Sequence, residues 1–306
     1  MIVAAGLSPA WQQILLFERF APGEVNRARQ SHWCASGKVL NVGIALAHLK
    51  AEALMIAPVG GPAAAPIVGE MATFGGRQSW VAVAGPTRVC TTLIDESTGE
   101  TTELVEEAGP LAVSELAAFE AQCGEHLAAA RVAVFSGSIP RGTPADLYAR
   151  LLAHSQAAAI LDIRGPELEL ALSGHPLVVK PNRQELEQFV GRKIASDAAL
   201  CEAMCQLNDR GAQWVIVSNG RHDVWARGGS RAYRLRPPTI AAVNPIGSGD
   251  CLAAAMAWQI DRGAPVLEAL RVGVAAASLN AQQLLPARLD ADTVLALAKE
   301  ILIEAV

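Results

Sequence analysis

The chain has 306 residues, with 25 Lys and Arg against 30 Asp and Glu, a formal net charge of -5 at pH 7. It is 51% hydrophobic, 18% charged and only 5% aromatic, which excludes a disordered chain, a collagen-like chain and a small disulfide scaffold. The acidic balance argues against a nucleic-acid binder, so any anionic ligand must meet a local concentration of cations and backbone amides. The length suits one large α/β domain spanning residues 1–306. Six cysteines (Cys34, Cys90, Cys123, Cys201, Cys205, Cys251) show no metal-type spacing and are expected as buried or half-buried free thiols. The N-terminal MIVAAGLSPAWQQ lacks a basic leader region, and no uncharged apolar run reaches the ~20 residues of a membrane helix. A soluble, cytoplasmic protein with no membrane association is the expectation.

In chain order, the apolar run Ile2–Ala5 predicts a first strand. Residues 13–33 hold two polar strand-like pieces joined around Ala21-Pro22-Gly23, a turn signal. A helix is predicted over Lys38–Leu49, a strand over Leu54–Val59 and a helix over Ala65–Phe74. A second polar pair, Arg88–Ile94 and Glu100–Val105, brackets Asp95-Glu96-Ser97-Thr98-Gly99 and reads as a hairpin. From residue 114 onward, helices and strands alternate. Helices are predicted at Ser114–Ala130, Ala145–His154, Arg183–Val190, Asp197–Asp209, Gly249–Asp261, Val266–Gln283 and Ala291–Ala305. Strands are predicted at Val132–Ser136, Ala159–Asp162, Leu177–Lys180 and Trp214–Ser218. This alternation implies βαβ units and a doubly wound, mostly parallel sheet flanked by helices. The two polar pairs, about 13–33 and 88–105, do not fit such a sheet and are expected to form a small β lid.

The most informative stretch is Asn244-Pro245-Ile246-Gly247-Ser248-Gly249-Asp250, followed at once by an apolar helix. Gly247 and Gly249 allow close backbone approach, and the unpaired N–H groups of the first helical turn make an anion site. Asp250 then stands where it could take a proton from an attacking hydroxyl. The plainer reading is a glycine turn with a carboxylate favoured by the helix dipole. Lys180-Pro181-Asn182-Arg183-Gln184-Glu185 lies between a strand and a helix. There Asn182 and Glu185 read either as a variant capping box or as groups facing a magnesium–phosphate unit. Ser218-Asn219-Gly220 and Ser136-Gly137-Ser138-Ile139-Pro140 also follow strands. Each is an ordinary loop by itself. Together the four loops converge on the carboxyl edge of the sheet, where doubly wound folds bind ligands.

These residues carry a resemblance. The chain resembles the PfkB (ribokinase-like) carbohydrate kinases over essentially its whole length, especially the phosphosugar branch of 1-phosphofructokinase, tagatose-6-phosphate kinase and minor 6-phosphofructokinase. The likeness runs through Ser8-Pro9-Ala10, Gly23-Glu24-Val25-Asn26-Arg27, Ser36-Gly37-Lys38-Val39-Leu40-Asn41-Val42, Thr87-Arg88 and Ser136–Pro140. It continues with Lys180-Pro181-Asn182, Gly247–Asp250 and Ser278-Leu279-Asn280-Ala281. The resemblance implies that Asp250 is the catalytic base and that Gly247, Ser248 and Gly249 form the anion hole at the γ-phosphate of ATP. It places Asn182 and Glu185 at magnesium, Lys180, Ser218 and Gly220 at the nucleotide, and Ser278 and Asn280 beside the adenine. Gln12, Gly37, Lys38, Asn41, Arg88, Ser138 and Asp250 match the sugar-phosphate side. ATP and Mg²⁺ are the implied cofactors, with room for a monovalent cation. A homodimer through the lid is the implied assembly, with Leu16, Phe17 and Leu93 needing cover.

Four departures from the family pattern stand out. Ser36 and Val39 replace glycines around Lys38, and Val39 is expected to alter the sugar pocket. The family's sugar-binding Asp after the N-P-A motif appears as Gln12 or Gln13. Asp223 replaces the second glycine of the nucleotide loop. The acceptor is expected among fructose 1-phosphate, tagatose 6-phosphate and fructose 6-phosphate. The alternatives are a kinase of an unphosphorylated sugar or nucleoside, and a non-catalytic sugar- or nucleotide-binding relative.

Overall fold

The computed structural model describes residues 1–306. In the first half the strands are β1 (Ile2–Ala5), β2 (Ala10–Phe17), β3 (Gln30–Ser36), β4 (Ala53–Val59), β5 (Arg77–Ala82), β6 (Arg88–Asp95) and β7 (Glu100–Val105). The second half adds β8 (Val132–Ser136), β9 (Ala158–Asp162), β10 (Val178–Val179), β11 (Trp214–Val217), β12 (Val224–Gly228), β13 (Arg231–Leu235) and β14 (Ile303–Ala305). The helices are α1 (Lys38–His48), α2 (Ala64–Thr73), α3 (Val113–Leu127), α4 (Leu147–Ala153), α5 (Pro166–Ala171), α6 (Arg183–Val190), α7 (Asp197–Asp209), α8 (Ser248–Asp261), α9 (Val266–Ala281) and α10 (Ala291–Ala298).

The main sheet runs β14-β13-β12-β11-β10-β9-β8-β1-β4-β5, parallel from β11 to β5 and antiparallel from β11 to β14. Central strands such as β1 and β8 are buried throughout, as unbroken apolar runs must be when both sheet faces are covered. Alternation divides their side chains between two cores. Ile2 and Ala4 join the layer of α1, α8, α9 and α10, while Val3 and Ala5 join the layer of α3, α4, α5 and α7. The chain leaves β1 toward β4 and β5, then returns to β8 on the other flank of β1. Strand order therefore reverses at β1, and the crevice at its carboxyl end is where a ligand fits.

The second sheet, β3-β2-β6-β7, is the expected lid, inserted between β1 and α1 and between β5 and α3. Its first two strands sit earlier and later than predicted. β2 begins at Ala10, β3 continues to Ser36 and runs into α1 through Gly37, and Ala21-Pro22-Gly23 lies in the intervening loop. Asn26 stitches that loop with bonds to the N–H and carbonyl of Ala21, both at 2.8 Å.

Other predictions need correction. The helix expected over Ala291–Ala305 ends at Ala298, and Ile303–Ala305 pairs with β13 as an edge strand, tied by Arg234 to Glu304 at 2.7 Å. The strands β5, β12 and β13 and the short α5 carry mixed polar and apolar residues and were not anticipated. Leu16, Phe17 and Leu93 need no second copy to cover them, because each is already buried within the single chain. Leu16 faces inward with Ile14 and Ile94, over Leu284 and Leu285. The outward apolar residues are instead Trp33 (46% exposed) and Leu104 (54%), which register places on one face with Gln13 and Thr91. Cys34, Cys90, Cys123 and Cys251 are buried and Cys201 and Cys205 half-buried, all as free thiols. No helix is long and apolar enough to cross a membrane.

Val39, expected to alter the sugar pocket, does not line the cavity. Its side chain is 1% exposed and belongs to the core, against Gly6. A Cβ on Gly6 would lie 2.9 Å from that of Val39 and 2.2 Å from the carbonyl oxygen of Ser136. The absent side chain at Gly6 makes the room that Val39 takes. Gly6→Ala is therefore expected to destabilise the protein by about 1–3 kcal/mol, the usual cost of overpacking. A urea midpoint unchanged from wild type would contradict this close packing.

Candidate active site

The lid and the carboxyl edge of the main sheet enclose a cavity of about 970 Å³. It is lined by Gln12, Gly37, Lys38, Asn41 and Arg88 on the lid side and by Ser138, Lys180, Asn182, Glu185, Ser218 and Gly220 from the sheet-edge loops. Gly247, Ser248, Gly249, Asp250 and Ser278 close the remaining wall. Every site residue expected from the sequence, apart from Asn280, lines this one space.

Its anion hole is built by backbone geometry. Gly247 caps α8 in the left-handed region with φ of 82°, where a Cβ would lie 2.9 Å from that of Pro286. The N–H of Ser248 is used by the carbonyl of Pro245 at 3.1 Å, whereas those of Gly247, Gly249 and Asp250 have no backbone acceptor. These are orphan donors at the positive end of a 14-residue helix. The Nζ of Lys180 stands 3.3 Å from where a Cβ on Gly249 would be, so the missing side chain lets the ammonium approach the hole.

Asp250 is 6% exposed, and its Oδ2 accepts a 2.8 Å bond from the side-chain amide of Asn41. Asn41 is itself oriented by the hydroxyl of Ser36, which donates to its oxygen at 3.1 Å. The Ser36 departure thus supplies a hydroxyl that fixes the amide. Sequence reasoning missed the next residue. Asp162, at the end of β9, is 2% exposed and lies between two lysines, 2.9 Å from Lys38 Nζ and 3.3 Å from Lys180 Nζ. Only its place after a strand, on the same edge as the other loops, could have drawn notice.

This charge arrangement separates the two carboxyls. Burial would raise Asp162, but Lys180 and Lys38 outweigh it and hold its pKa below the ordinary value. Burial also opposes charge on Lys38, and the carboxylates of Asp162, Glu185 and Asp250 reverse that and raise it. Burial, followed by the Asp162 charge, pushes Asp250 up to about 7, although Lys38, the Asn41 bond and Lys180 pull the other way. A carboxyl that titrates near neutrality is suited to accepting a proton.

Asn182 and Glu185 do form a capping box at the start of α6, each side chain bonded at 2.8 Å to the other's backbone N–H. The structural and functional readings are compatible. The box commits Glu185 Oε2 and the Asn182 oxygen, and Glu185 Oε1 faces Lys38 at 3.9 Å. No cluster of three or more His, Cys, Asp or Glu side chains suited to a metal is present. A hard, hydrated cation that takes one carboxylate and fills its other positions with phosphate oxygens and water fits this donor set.

Arg88 donates to the carbonyls of Ser8 (3.0 Å), Glu106 (3.1 Å) and Pro9 (3.3 Å), clasping the root of the lid. Arg164, which the sequence reading passed over, lines the cavity after β9, is exposed and makes no ion pair or hydrogen bond. Gln12, rather than Gln13, faces the cavity, with its amide donating to Thr92 at 2.7 Å. Asp223 pairs with Arg234 and Arg236 at 3.6 and 3.5 Å. Ser278 borders the cavity, but its hydroxyl bonds to the carbonyl of Val274 at 2.9 Å. Asn280 is fully buried and does not line the cavity. Its amide donates to Ile246 and to Ser248 Oγ, and its oxygen accepts the Ala287 N–H. It supports the anion hole from behind.

The sequence profile of the pfkB family carbohydrate kinases matches residues 9–291. The chain belongs to that family. It is 31% identical to the tagatose-6-phosphate kinase of Staphylococcus epidermidis over 92% of its own length and 93% of the relative's. Phosphofructokinase-2 from Escherichia coli, solved with substrates and products, superposes with a TM-score of 0.88 at 26% identity, covering 97% of this chain and 98% of that one. A possible 1-phosphofructokinase from Thermotoga maritima shares the fold at a TM-score of 0.91 and 22% identity, with both chains covered in full. The pfkB assignment carries with it the class of activity, ATP-dependent phosphoryl transfer to a carbohydrate.

The charge arrangement gives a direct expectation. Asp162→Asn removes the carboxylate that raises Asp250 and frees both lysines toward it, so the titration of Asp250 moves to lower pH. Carboxyl ¹³C NMR checks this; an Asp250 midpoint that stays near 7 would show that burial alone sets it.

Proposed function

We propose that this pfkB kinase transfers the γ-phosphoryl group of ATP to a hydroxyl of a hexose phosphate, with Asp250 as the general base. The observation that carries the reading is the buried Asp250 carboxyl, raised to about 7, beside the orphan amides of Gly247 and Gly249. In this reading Asp250 takes the proton of the acceptor hydroxyl as its oxygen attacks the γ-phosphorus. The charge carried by the transferring group's oxygens meets the α8 amides and Lys180. Lys38 and Asn41 hold the acceptor against Asp250, while Ser218, Gly220 and Ser278 border the nucleotide. Glu185, positioned by its capping box with Asn182, would hold Mg²⁺ directly or through water, and the ion would supply charge neutralisation on the triphosphate. A monovalent cation beside the anion hole accords with the potassium complex of the Escherichia coli relative.

Arg88, Arg164 and Ser138 are assigned to the phosphate that the acceptor already carries. Support comes from their common place on the cavity wall and from the tagatose-6-phosphate kinase likeness. Fructose 1-phosphate, tagatose 6-phosphate and fructose 6-phosphate are the candidate acceptors. One observation favours a second reading, an uncharged sugar: the Arg88 guanidinium is already bonded to three carbonyls. The same lid provides the assembly surface, because Trp33 and Leu104 leave an apolar outer face that a second copy can bury. A homodimer follows, and light scattering at micromolar concentration that gave a monomer mass would remove it.

An ADP-release assay across sugars and sugar phosphates tests the function. Asp250→Asn is expected to keep nucleotide binding and lower kcat by ~10²–10⁴, the usual share of a general base. Arg88→Ala is expected to raise KM for the sugar phosphate at least ~10-fold and leave KM for ATP unchanged. Turnover of a neutral sugar, with Arg88→Ala affecting neither constant, would overturn the phosphosugar assignment.

A further inference from the structure

Two charged residues outside the cavity connect its halves. Glu70 on α2 uses both carboxylate oxygens. Oε2 accepts the N–H of Ala35, next to the end of β3, at 2.5 Å, and Oε1 pairs with Arg288 at 2.7 Å. The side chains are only 23% and 16% exposed. Arg288 lies 4.3 Å over the ring of Phe74 and also donates to the carbonyl of Pro286 at 3.1 Å. Neither residue lines the cavity.

The segment 284–288 that Arg288 terminates touches both the lid and the anion hole. Leu284 and Leu285 pack beneath the inner lid residues Ile14, Leu16, Cys34 and Ile94. The carbonyl of Leu284 accepts from the side chain of Asn244 at 2.8 Å, and the N–H of Ala287 donates to Asn280 at 2.6 Å. Asn280 in turn holds Ile246 and Ser248, and Pro286 fills the space that a Gly247 side chain would need. Ala287 is buried with φ of 65°, a left-handed conformation that a non-glycine residue keeps only when its surroundings impose it. On the other side of β3, Ser36 leads through Asn41 to Asp250.

We propose that Glu70 and Arg288 are positioning residues that tie the root of the lid to the anion hole through residues 284–288, so that nucleotide in the hole fixes the lid. The inference rests on the proposed function in one respect, that the hole receives the triphosphate. Glu70→Gln tests it, because Ala35 and Arg288 donate to separate carboxylate oxygens and the amide nitrogen that replaces one of them cannot accept.

Hydrogen exchange is measured on wild type and Glu70→Gln with and without magnesium and a non-hydrolysable ATP analogue. In wild type the nucleotide is expected to raise protection at residues 244–250 and at residues 30–36. In Glu70→Gln the gain at 244–250 remains and the gain at 30–36 is lost. Persistence of the gain at 30–36 in the variant, with only a lower Tm, would reduce the pair to a structural tie and overturn the proposal. Absence of any gain at 244–250 in wild type would overturn the kinase reading and this inference with it. Arg288→Lys, which keeps the charge but not the stacked fork, gives the same test should Glu70→Gln fail to fold.

Discussion

A carboxylate almost wholly out of water, with a lysine on each of its oxygens, is the constraint around which the cavity is organised. Asp162 lies 2.9 Å from Lys38 and 3.3 Å from Lys180, and these lysines come from opposite sides of the site. Taking the Asp162 and Lys180 charges out of water is costly unless they compensate one another, and loss of one partner of such a buried pair typically costs about 3–5 kcal/mol. The cluster therefore fixes where the lid-side helix α1 and the loop after β10 stand relative to β9. It also acts on the neighbouring carboxyl, since the Asp162 charge adds to burial in raising Asp250 to about 7. The ion-pair network and the raised carboxyl of Asp250 are thus one arrangement.

The anion hole depends on a different kind of restraint. Its donors are backbone amides, so their placement is decided by what packs behind them. Gly247 has room for no side chain because Pro286 is there, and Asn280 spends its whole amide on Ile246, Ser248 and Ala287. Residues with no view of the cavity consequently decide whether the cavity can hold an anion. Glu70 and Arg288 extend that logic to the root of the lid.

Departures from the family pattern are absorbed locally. Val39 is accommodated by Gly6 inside the core, Ser36 gains a role in orienting Asn41, and Asp223 is neutralised by Arg234 and Arg236. Ser36 and Gln12 both change polar groups on the cavity wall, and Gln12 presents an amide where the family pattern has a carboxylate. A hydroxyl partner that can donate or accept equally well is served by such a group.

Local pattern determined much of this protein. Unbroken apolar strands, 3.6-residue periodicity and glycine-rich turns located most of the parallel strands, most helices and the hairpin Arg88–Val105, because these features follow from burial and backbone sterics over a few residues. The residues Lys180, Glu185 and Gly247–Asp250 were legible for the same reason, as motifs in loops on the carboxyl edge of the sheet, whereas Lys38 and Asn41 were drawn out only by the family resemblance. Tertiary structure alone decided the rest. Ile303–Ala305 has an apolar pattern compatible with a helix, and pairing with the open edge of β13 made it a strand. Asp162 and Arg164 belong to no motif, and their importance arises when β9 is laid between β8 and β10. Asn280 sits in a motif but turns away from the cavity, and Val39 and Gly6 matter only as a pair. Contacts between residues more than 30 positions apart carry no local periodicity, so their sign and partner are fixed only when the chain has folded.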